Sequence, residues 1–405
     1  MGMKIKRRQF IQTLAGGALT ATPLARSLAR TAPHVVVIGA GIVGSSIAWH
    51  LARRGAKVTV IEREAPACGT SGKSFAWINA HYSKQPLAYH QLTVRSLFAY
   101  RDLQRHLPLA IHWGGGLEWL NDADASEKLE QQVLRHQRAG IAARMLSPEE
   151  VRILEPNLVQ AGLTTAAYSE PDGGIDAADA CRVFIDAAQS LGAKVFYPRE
   201  VLDIHMGSGA LHKVETDAGT ITADKVVIAC GPQTNRVAKF VGADVPMIDA
   251  PGVIATTRPM PHLLNTVVWA PGAHMQQRDN GRIVIGEQGG PPDTTEHLQR
   301  LGPRPQDFPN EAIRIAHGER LRAAAVKFLP QLQDAQFERI TIGWRPMPKD
   351  RHPVIGRVEN APDAYLAVTH SGVSLAPILG RIAALEILDD VDVEMASSFR
   401  LSRFS

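Results

Sequence analysis

Residues 35–62 read VVVIGAGIVGSSIAWHLARRGAKVTVIE. An apolar, β-branched run opens this stretch, and a glycine-rich turn, Gly39-Ala40-Gly41-Ile42-Val43-Gly44, follows it. A mostly apolar segment then leads to a second β-branched run that ends at Glu62. A strand, a glycine turn, a helix, a second strand and an acid in this order predict a dinucleotide-binding βαβ unit.

The glycines and the acid have separate tasks in such a unit. Gly39 permits the tight turn, Gly41 lets the backbone approach a pyrophosphate, and Gly44 lets the helix pack close to the strands. The helix N-terminus offers N–H groups to the phosphates, and Glu62 can accept hydrogen bonds from a ribose diol. The alternative, a glycine-rich turn in an ordinary α/β fold, explains Gly39 but not Glu62. We therefore predict nucleotide contacts from Gly39, Ala40, Gly41, Ile42, Val43, Gly44, Glu62 and Arg63.

The first 33 residues have the composition of a leader. They contain no acid, begin with a basic group that includes Arg7 and Arg8, and continue into a mildly apolar stretch. This order predicts an export signal of the twin-arginine type, and therefore a periplasmic location. The alternative is a disordered basic tail.

The charge of the chain gives no indication of nucleic-acid binding. The net charge at pH 7 is +4, but six of the basic residues lie in the first 33 residues, so the remainder is slightly acidic. No apolar stretch beyond this leader reaches the length of about 18 residues that a transmembrane helix needs, so we expect no span in the mature chain. The cysteines Cys68, Cys181 and Cys230 suggest neither a zinc site nor a disulfide framework.

Four further stretches have the composition of ligand-contacting segments. The loop Thr70-Ser71-Gly72-Lys73-Ser74 has small, hydroxylated side chains that let a backbone run close to a ligand, although a solvated surface loop has the same composition. Residues 225–231 predict a buried strand that returns to the dinucleotide site. Residues 343–356, GWRPMPKDRHPVIG, form a dense motif. Residues 365–377 predict a strand followed by a helix whose N-terminus can stabilise negative charge.

Two blocks have no nucleotide signature and are assigned to a second lobe. In the first, residues 86–106 and 125–139 predict helices, residues 111–120 predict two short strands paired around a glycine turn, and Ser147 is a predicted N-cap. In the second, residues 245–295 predict an antiparallel sheet and residues 310–328 predict a helix.

These motifs together make the chain resemble the FAD-dependent D-amino-acid, glycine and sarcosine oxidoreductases. The resemblance rests on the glycine turn with Glu62, the 70–74 loop, Asp172-Gly173-Gly174, Ala229-Cys230-Gly231, the 343–356 motif and residues 370–380. It implies an α/β fold with a Rossmann-like FAD-binding domain and a second α+β substrate domain carrying a mixed, largely antiparallel sheet. The implied FAD-binding domain comprises residues 34–85, 160–235 and 335–405, and the substrate domain comprises residues 86–159 and 236–334.

The resemblance also implies the contacts of the cofactor. We expect non-covalent FAD, because Lys73 and Gly343 stand where members with covalent flavin have a histidine or a cysteine. Beyond the contacts of the βαβ unit, the resemblance implies FAD contacts from Thr70, Ser71, Gly72, Lys73, Ser74, Val201, Ala229, Gly231, Arg345, Gly372, Val373, Ser374 and Leu375.

The chemistry that the resemblance implies is oxidation of the C–N bond of an amino acid or related amine. A hydride passes to N5 of the flavin, and the imine is then hydrolysed. In glycine-oxidase-like members an arginine in a G-x-R-P motif pairs with the substrate carboxylate, and here that position is Arg345. The electron acceptor that the resemblance implies is a quinone or respiratory chain, as in D-amino-acid dehydrogenases, or O2. The alternatives are an oxidase that uses O2 and releases H2O2, and a flavin-containing binding protein without turnover.

Several of these residues have a structural alternative. Arg345 could brace the 343–356 turn by pairing with Asp350, which is itself expected to be a turn residue rather than a base. His81, His274 and His370 could each contact a ligand. With 15 histidines in the chain, however, a core or surface role is the default for any one of them.

Overall fold

The computed structural model describes residues 32–81, 84–120, 123–160, 162–207, 211–286 and 307–404. The predicted export signal and the end of the predicted antiparallel sheet, residues 287–295, therefore lie outside the described residues. Within the described ranges, no helix is both long and apolar enough to cross a lipid bilayer.

A six-stranded sheet contains the predicted βαβ unit. Its strands, in spatial order, are β21 (Val354–Val358), β22 (Ala361–Val368), β13 (Lys225–Ile228), β1 (His34–Ile38), β2 (Lys57–Ile61) and β9 (Lys194–Phe196). Neighbouring strands are parallel except for β21 and β22. The register places Val35 beside Val58 and Ile38 beside Ile61. The Rossmann-like part of the predicted fold is thus confirmed.

Helices cover both lobes of the protein. In chain order they are α1 (Ile42–Arg53), α2 (Leu87–Leu103), α3 (Ala123–Arg138), α4 (Pro148–Leu154), α5 (Ala177–Ser190), α6 (Thr234–Ala238), α7 (Glu311–Val326) and α8 (Gly372–Asp389). The N-terminus of α4 has the predicted cap, because the Ser147 side chain accepts a hydrogen bond from the backbone N–H of Glu150. The Glu150 side chain in turn accepts one from the backbone N–H of Ser147, which completes a capping box.

Alternate residues of β1 face two different cores, as the period of a strand requires. Val35 and Val37 are fully buried among residues of α1, α5 and α8. Val36 and Ile38 instead join a second apolar cluster, which includes Val201 and Val214. Burial on both faces explains why β1 is a continuous apolar run in the sequence.

Helix α2 lies in the same core as the nucleotide-binding helix α1. Its residues Leu92, Leu97 and Tyr100 are buried in the cluster that contains Val35 and Val37. The sequence of this helix has no nucleotide signature, which predicts a place in the second lobe. Its apolar face, however, is complementary to α8 rather than to the sheet of that lobe.

An eight-stranded sheet forms the second lobe. Its strands, in spatial order, are β19 (Phe337–Trp344), β15 (Pro251–Thr257), β18 (Ile283–Gly286), β17 (Ala273–Gln277), β16 (Val267–Ala270), β5 (Gly116–Glu118), β7 (Ala166–Ser169) and β6 (Ala143–Leu146). Only β16 and β5 pair in parallel, so the sheet is mixed and largely antiparallel, as predicted. Leu321 and Ala325 of α7 pack into its apolar cluster.

The predicted hairpin over residues 111–120 is wrong. Strand β4 (Ile111–His112) pairs with β8 (Gly173–Ile175), whereas β5 pairs with β7 and β16 in the eight-stranded sheet. The glycines between β4 and β5 allow a close backbone approach instead of a hairpin turn. A Cβ on Gly114 would lie 1.8 Å from the carbonyl oxygen of Asn265.

The described residues also form three small sheets. They are β3 (Trp77–Ile78) with β8 and β4; β10 (Val201–His205) with β11 (His212–Thr216) and β12 (Gly219–Ala223); and β14 (Met247–Ile248) with β20 (Met347–Pro348). Strands β11 and β12 flank the predicted Asp217-Ala218-Gly219 turn.

Helix α8 is anchored at its far end by a buried carboxylate. Glu386 is fully buried and accepts hydrogen bonds from both terminal nitrogens of Arg400, at 2.9 and 2.6 Å, and from the hydroxyl of Tyr365 at 2.7 Å. These bonds join α8 to β22 and to the C-terminal segment. They fix the helix whose N-terminus faces the site described next.

Candidate active site

The glycine turn after β1 is shaped by close backbone contacts. Gly39 has φ +102°, and a Cβ there would lie 2.5 Å from the carbonyl oxygen of Ala229. A Cβ on Gly44 would lie 2.0 Å from the carbonyl oxygen of Gly39. Only glycine fits at either position, and the turn therefore delivers the N-terminus of α1 to the edge of the sheet.

The first turn of α1 is joined to the hydroxyl-rich loop. The backbone N–H of Ile42 donates to Ser71 Oγ at 2.9 Å, and a Cβ on Gly41 would lie 3.1 Å from the same oxygen. The 70–74 loop is joined in turn to the 343–356 motif, because Thr70 Oγ1 donates to the carbonyl oxygen of Trp344 at 2.6 Å. Three stretches far apart in sequence thus meet at one helix N-terminus.

Glu62 is held beside the glycine turn by backbone groups. Its Oε2 accepts a hydrogen bond from the N–H of Ala40 at 2.9 Å, and its Oε1 accepts one from the N–H of Glu64 at 3.1 Å. The carboxylate therefore lies at the carboxyl end of β2 in a fixed orientation. This is the place where an acid can bind a ribose diol.

A cleft runs along the carboxyl ends of the parallel strands, past the N-termini of α1 and α8. Most of the predicted cofactor contacts line it. They are Gly39, Gly41, Ile42, Val43, Glu62, Arg63, Thr70, Ser71, Lys73, Ser74, Val201, Ala229, Gly231, Gly372 and Val373. The cleft is also lined by Arg199 and Trp344, which were not predicted as contacts, and by His370, for which a core or surface role was the default expectation. Trp344 directly precedes Arg345 in the sequence, so the 343–356 motif already contained that signal.

The other predicted contacts lie behind the cleft wall. Ala40 holds Glu62, and Gly44 permits the packing of α1 described above. The N–H of Gly72 donates to the carbonyl oxygen of Ala67 at 2.9 Å, and Ser374 Oγ donates to the carbonyl oxygen of Trp77 at 3.0 Å. Leu375 is fully buried in the core. These residues shape the cleft without facing it.

Arg345, also predicted as a cofactor contact, follows β19 and is not among the residues that line the cleft, although Trp344 and Pro346 on either side of it are. Its Nη1 donates to the carbonyl oxygen of Pro251 at 2.9 Å, and its guanidinium lies over Gly252. Burial lowers the pKa of Arg345. In the described part of the chain, no carboxylate lies within 4.0 Å of this guanidinium.

The alternative in which Arg345 pairs with Asp350 is wrong. The carboxylate of Asp350 accepts hydrogen bonds from Arg403 Nε at 2.7 Å and from Arg403 Nη2 at 3.1 Å. Partial burial opposes ionisation of Asp350, but these bonds lower its pKa below the usual value. Asp350 also accepts a hydrogen bond from the N–H of His352, which agrees with its predicted role as a turn residue.

His274 lies next to Arg345 in a stack of aromatic rings. Its ring is parallel to Trp269 at 4.5 Å between centroids and meets the edge of Phe75 at 4.3 Å. The ring also covers Gly286, where a Cβ would lie 2.0 Å from His274 Nε2. Burial and the charge of Arg345 lower the pKa of His274 to about 3, so the ring is neutral at pH 7.

His370 and His81 have different surroundings. His370 opens onto the cleft, and its pKa is lowered to about 3 by the surrounding protein, by Lys84 and by Arg345. His81 is fully buried, and its Nε2 lies 2.6 Å from Glu118 Oε2. Sequence could not separate these two histidines, because the neighbours of both come from distant parts of the chain.

Comparison with known proteins identifies the family. A family model described as FAD dependent oxidoreductase matches residues 34–385. The chain belongs to this family. Its relatives include the glycine oxidase of Bacillus licheniformis, 28% identical over 91% of this chain and 96% of that protein. The glycine oxidase of Pseudomonas aeruginosa is also 28% identical, over 87% of this chain and 93% of that protein.

Solved structures of other members share the fold. The glycine oxidase of Geobacillus kaustophilus superposes with a TM-score of 0.79 at 24% identity, covering 92% of this chain and 99% of that one. The L-proline dehydrogenase of P. horikoshii superposes with a TM-score of 0.78 at 24% identity, covering 92% and 98%.

The cofactor of the family is FAD, and the cleft fits it. The cradle between Gly39 and Gly41 would be filled by any Cβ, and α1 directs its free N–H groups into it. Glu62 is placed for the ribose of the adenosine part, and the first turn of α8 lines the opposite end of the cleft. The cleft therefore offers a backbone cradle, an acid and a second helix N-terminus, as an elongated dinucleotide requires.

Proposed function

We propose that the protein oxidises the C–N bond of an amino acid or related amine that carries a carboxylate. The observation that carries this proposal is Arg345, a half-buried guanidinium that has no acidic partner within 4.0 Å in the described chain. An unpaired cation in such a place is costly, and a substrate carboxylate would offset that cost. Relatives named glycine oxidase and 4-methylaminobutanoate oxidase support the same substrate class.

The residues around Arg345 suit the binding of a carboxylate. A planar guanidinium can hold both carboxylate oxygens, which fixes the direction of the neighbouring C–N bond. The neighbouring His274 is neutral at pH 7 and therefore adds no second positive charge beside Arg345. Trp269 and Phe75 pack against that ring and exclude water from one side of it.

The bound FAD supplies the electron acceptor for the two-electron oxidation. The protein chain has to hold the amine in a productive orientation. A rigid clamp on the carboxylate raises the reaction rate by fixing that orientation. The final acceptor of the electrons stays open between a quinone or respiratory chain and O2. A flavoprotein without turnover would have no need for the cation at Arg345.

The test is an anaerobic titration of the purified holoenzyme. Glycine, sarcosine, D-amino acids and L-proline are added in turn, and the absorption band of the oxidised flavin is followed. The proposal predicts bleaching by at least one carboxylate-bearing amine and none by the matching simple amine, such as methylamine. Bleaching by no amine, or by methylamine and glycine alike, would contradict it.

The final electron acceptor is identified in a second step with the same preparation. Rapid reoxidation by air with stoichiometric H2O2 would support the oxidase alternative. Slow reoxidation in air together with fast reoxidation by a quinone would support the dehydrogenase.

We also propose that residues 1–33 export the protein to the periplasm. The basic start with Arg7 and Arg8, the apolar continuation and the absence of acids support this. Fractionation of cells that make the full chain should recover the mature protein outside the cytoplasm. A change of Arg7 and Arg8 to lysine should retain it inside.

A further inference from the structure

A group of polar side chains surrounds Ser371, the residue before α8. The ammonium of Lys84 donates a hydrogen bond to Ser371 Oγ. The hydroxyls of Tyr89 and Ser371 are also hydrogen-bonded, at 2.9 Å. Lys84 Nζ lies 4.8 Å from the centre of the Tyr89 ring, so one side chain orients the other. Ser371 stands between His370 and Gly372, which both line the cleft.

This group has hydrogen-bonding capacity to spare. An ammonium has three hydrogens to donate, and Lys84 uses one of them on Ser371. Of the two hydroxyl hydrogens of Tyr89 and Ser371, the bond between these residues uses only one. Tyr89 is buried, whereas Lys84 and Ser371 are half-buried. The remaining donors are therefore held in place and partly shielded from bulk water.

The group also carries the positive charge of the Lys84 ammonium. In the described part of the chain, no carboxylate lies within 4.0 Å of Lys84. The ammonium lies at the N-terminus of α8, where the helix dipole disfavours a cation. Asp350, on the other side of Tyr89 beside His352, is already paired with Arg403. The charge of Lys84 is thus left for something outside the described chain.

Lys84 and Arg345 act on the same neighbour. Besides the desolvation that lowers the pKa of His370, the charges of Lys84 and Arg345 each oppose its protonation. His370 itself is neutral at pH 7 and cannot offset either charge. Arg345 and Ser371, the hydrogen-bond partner of Lys84, each lie between two residues that line the cleft.

We infer that Lys84, Ser371 and Tyr89 form a second anion-binding subsite, and that the substrate is an amino or imino acid with two carboxylates. Arg345 takes the carboxylate next to the oxidised C–N bond, and the Lys84 group takes the distal one. This inference rests on the proposed function and narrows it to a substrate class. Two ion pairs at the two ends of the substrate would also fix its direction in the cleft, which a single pair does not.

The test measures binding and does not need turnover. Carboxylates that lack an amine are titrated into the holoenzyme, and the shift of the flavin absorption spectrum gives a dissociation constant. The pairs compared are succinate with propionate and glutarate with butyrate, which differ by the second carboxylate. We expect the dicarboxylate to bind at least about tenfold more tightly in each pair, the factor that one charged hydrogen bond provides.

Variants of Lys84 assign this difference to the subsite. Lys84→Gln should remove the preference and leave the monocarboxylate constants unchanged, whereas Lys84→Arg should retain most of it. Lys213→Gln, which removes an exposed lysine of β11, is the matched control and should behave as the unmodified protein.

Several outcomes would overturn the inference. One is equal binding of the two members of each pair in the unmodified holoenzyme. Another is an equal weakening of monocarboxylates and dicarboxylates by Lys84→Gln. A third is a lower flavin midpoint potential in that variant with the preference intact, which would mean that Lys84 serves the cofactor. If dicarboxylates bind preferentially but no amine reduces the flavin, the subsite stands and the proposed function fails.

Discussion

The guanidinium of Arg345 lies directly over Gly252: a Cβ built on Gly252 would be 3.1 Å from Nη2 and 3.3 Å from Cζ. The missing side chain at Gly252 is therefore what lets the arginine lie flat on the sheet. Strand register places Gly252 beside Gly343, whose own missing side chain makes room for Lys73 of the 70–74 loop.

Gly252→Ala should displace the Arg345 guanidinium by a few tenths of an ångström. Because a clamp depends on its geometry, we expect kcat/KM for the best substrate to fall by about tenfold, mainly through KM. FAD content and Tm should change little, since Gly252 itself does not line the cleft. Kinetics and flavin content measured on the same preparation check this, and loss of FAD with an unchanged KM would contradict it.

Glu62 is expected to contribute to the affinity for FAD rather than to the chemistry. Glu62→Ala removes a charged acceptor for the ribose and also frees the N–H of Ala40, so FAD binding should weaken by about 1.5–3 kcal/mol. Titration of the apoprotein with FAD measures this change. Glu319→Gln, an exposed acid on α7, is the control. Equal FAD affinities for Glu62→Ala and the control would show that the carboxylate does not contact the cofactor.

FAD is expected to be bound without a covalent link. The thiols that line the cleft are Cys68, which is exposed, and Cys230, whose pKa burial raises to about 12 and whose thiolate is therefore not formed at pH 7. Acid precipitation should release all of the yellow colour into the supernatant. Colour that stays with the precipitated protein would contradict the non-covalent prediction. The variant Cys68→Ser would then show whether the flavin is linked to that cysteine.

Stability should fall as the pH drops from 7.5 to 5.5. Burial lowers the pKa of His50 to about 4 and that of His136 and His274 to about 3. The unfolded chain takes up these three protons below about pH 6.5 and the folded chain does not, so each histidine costs about 1 kcal/mol over this range. Asp172 acts in the opposite direction, because burial raises its pKa to about 6 and the folded chain then binds its proton more readily than the unfolded chain. Its contribution to the free energy of unfolding offsets about that of one histidine.

Urea unfolding of the holoenzyme at both pH values, with excess FAD, measures this loss. His136→Phe removes one titrating group and should reduce the pH dependence by about 1 kcal/mol. The control His106→Phe, at an exposed histidine, should leave the pH dependence of the free energy of unfolding unchanged. A free energy of unfolding that is the same at both pH values would contradict the account of buried, neutral histidines.

The parts of the fold that depend on local sequence could be predicted. The βαβ unit was one of these, because Val35–Ile38, the glycine turn and Glu62 lie within 30 residues and each has a local signal. The placement of α2 could not be predicted, since its apolar stripe fits either lobe and only the partner surface on α8 decides. The prediction of a hairpin at residues 111–120 was wrong because a glycine run also permits the backbone to pass close to Asn265.

The candidate site also has parts with a local sequence signal and parts that depend on tertiary contacts. Arg345 was predicted through its motif, but the isolation of its charge depends on Arg403, 53 residues away from Asp350. His274 had no local signal, because its position beside Arg345 is created by the pairing of β15, β17, β18 and β19. The Lys84 group requires the N-terminus of α2 to meet that of α8, which is a tertiary contact.

The most direct test of the central claim, that Arg345 binds the substrate carboxylate, is the kinetic analysis of Arg345→Lys. Lysine keeps the charge and loses the planar fork, so kcat/KM should fall by about a hundredfold, while FAD content and Tm stay near those of the unmodified protein. Arg282→Lys, which alters a surface pair with Glu338, should keep normal kinetics. Near-normal kcat/KM in Arg345→Lys together with a lower Tm and weaker flavin retention would contradict the claim and assign this arginine to the scaffold.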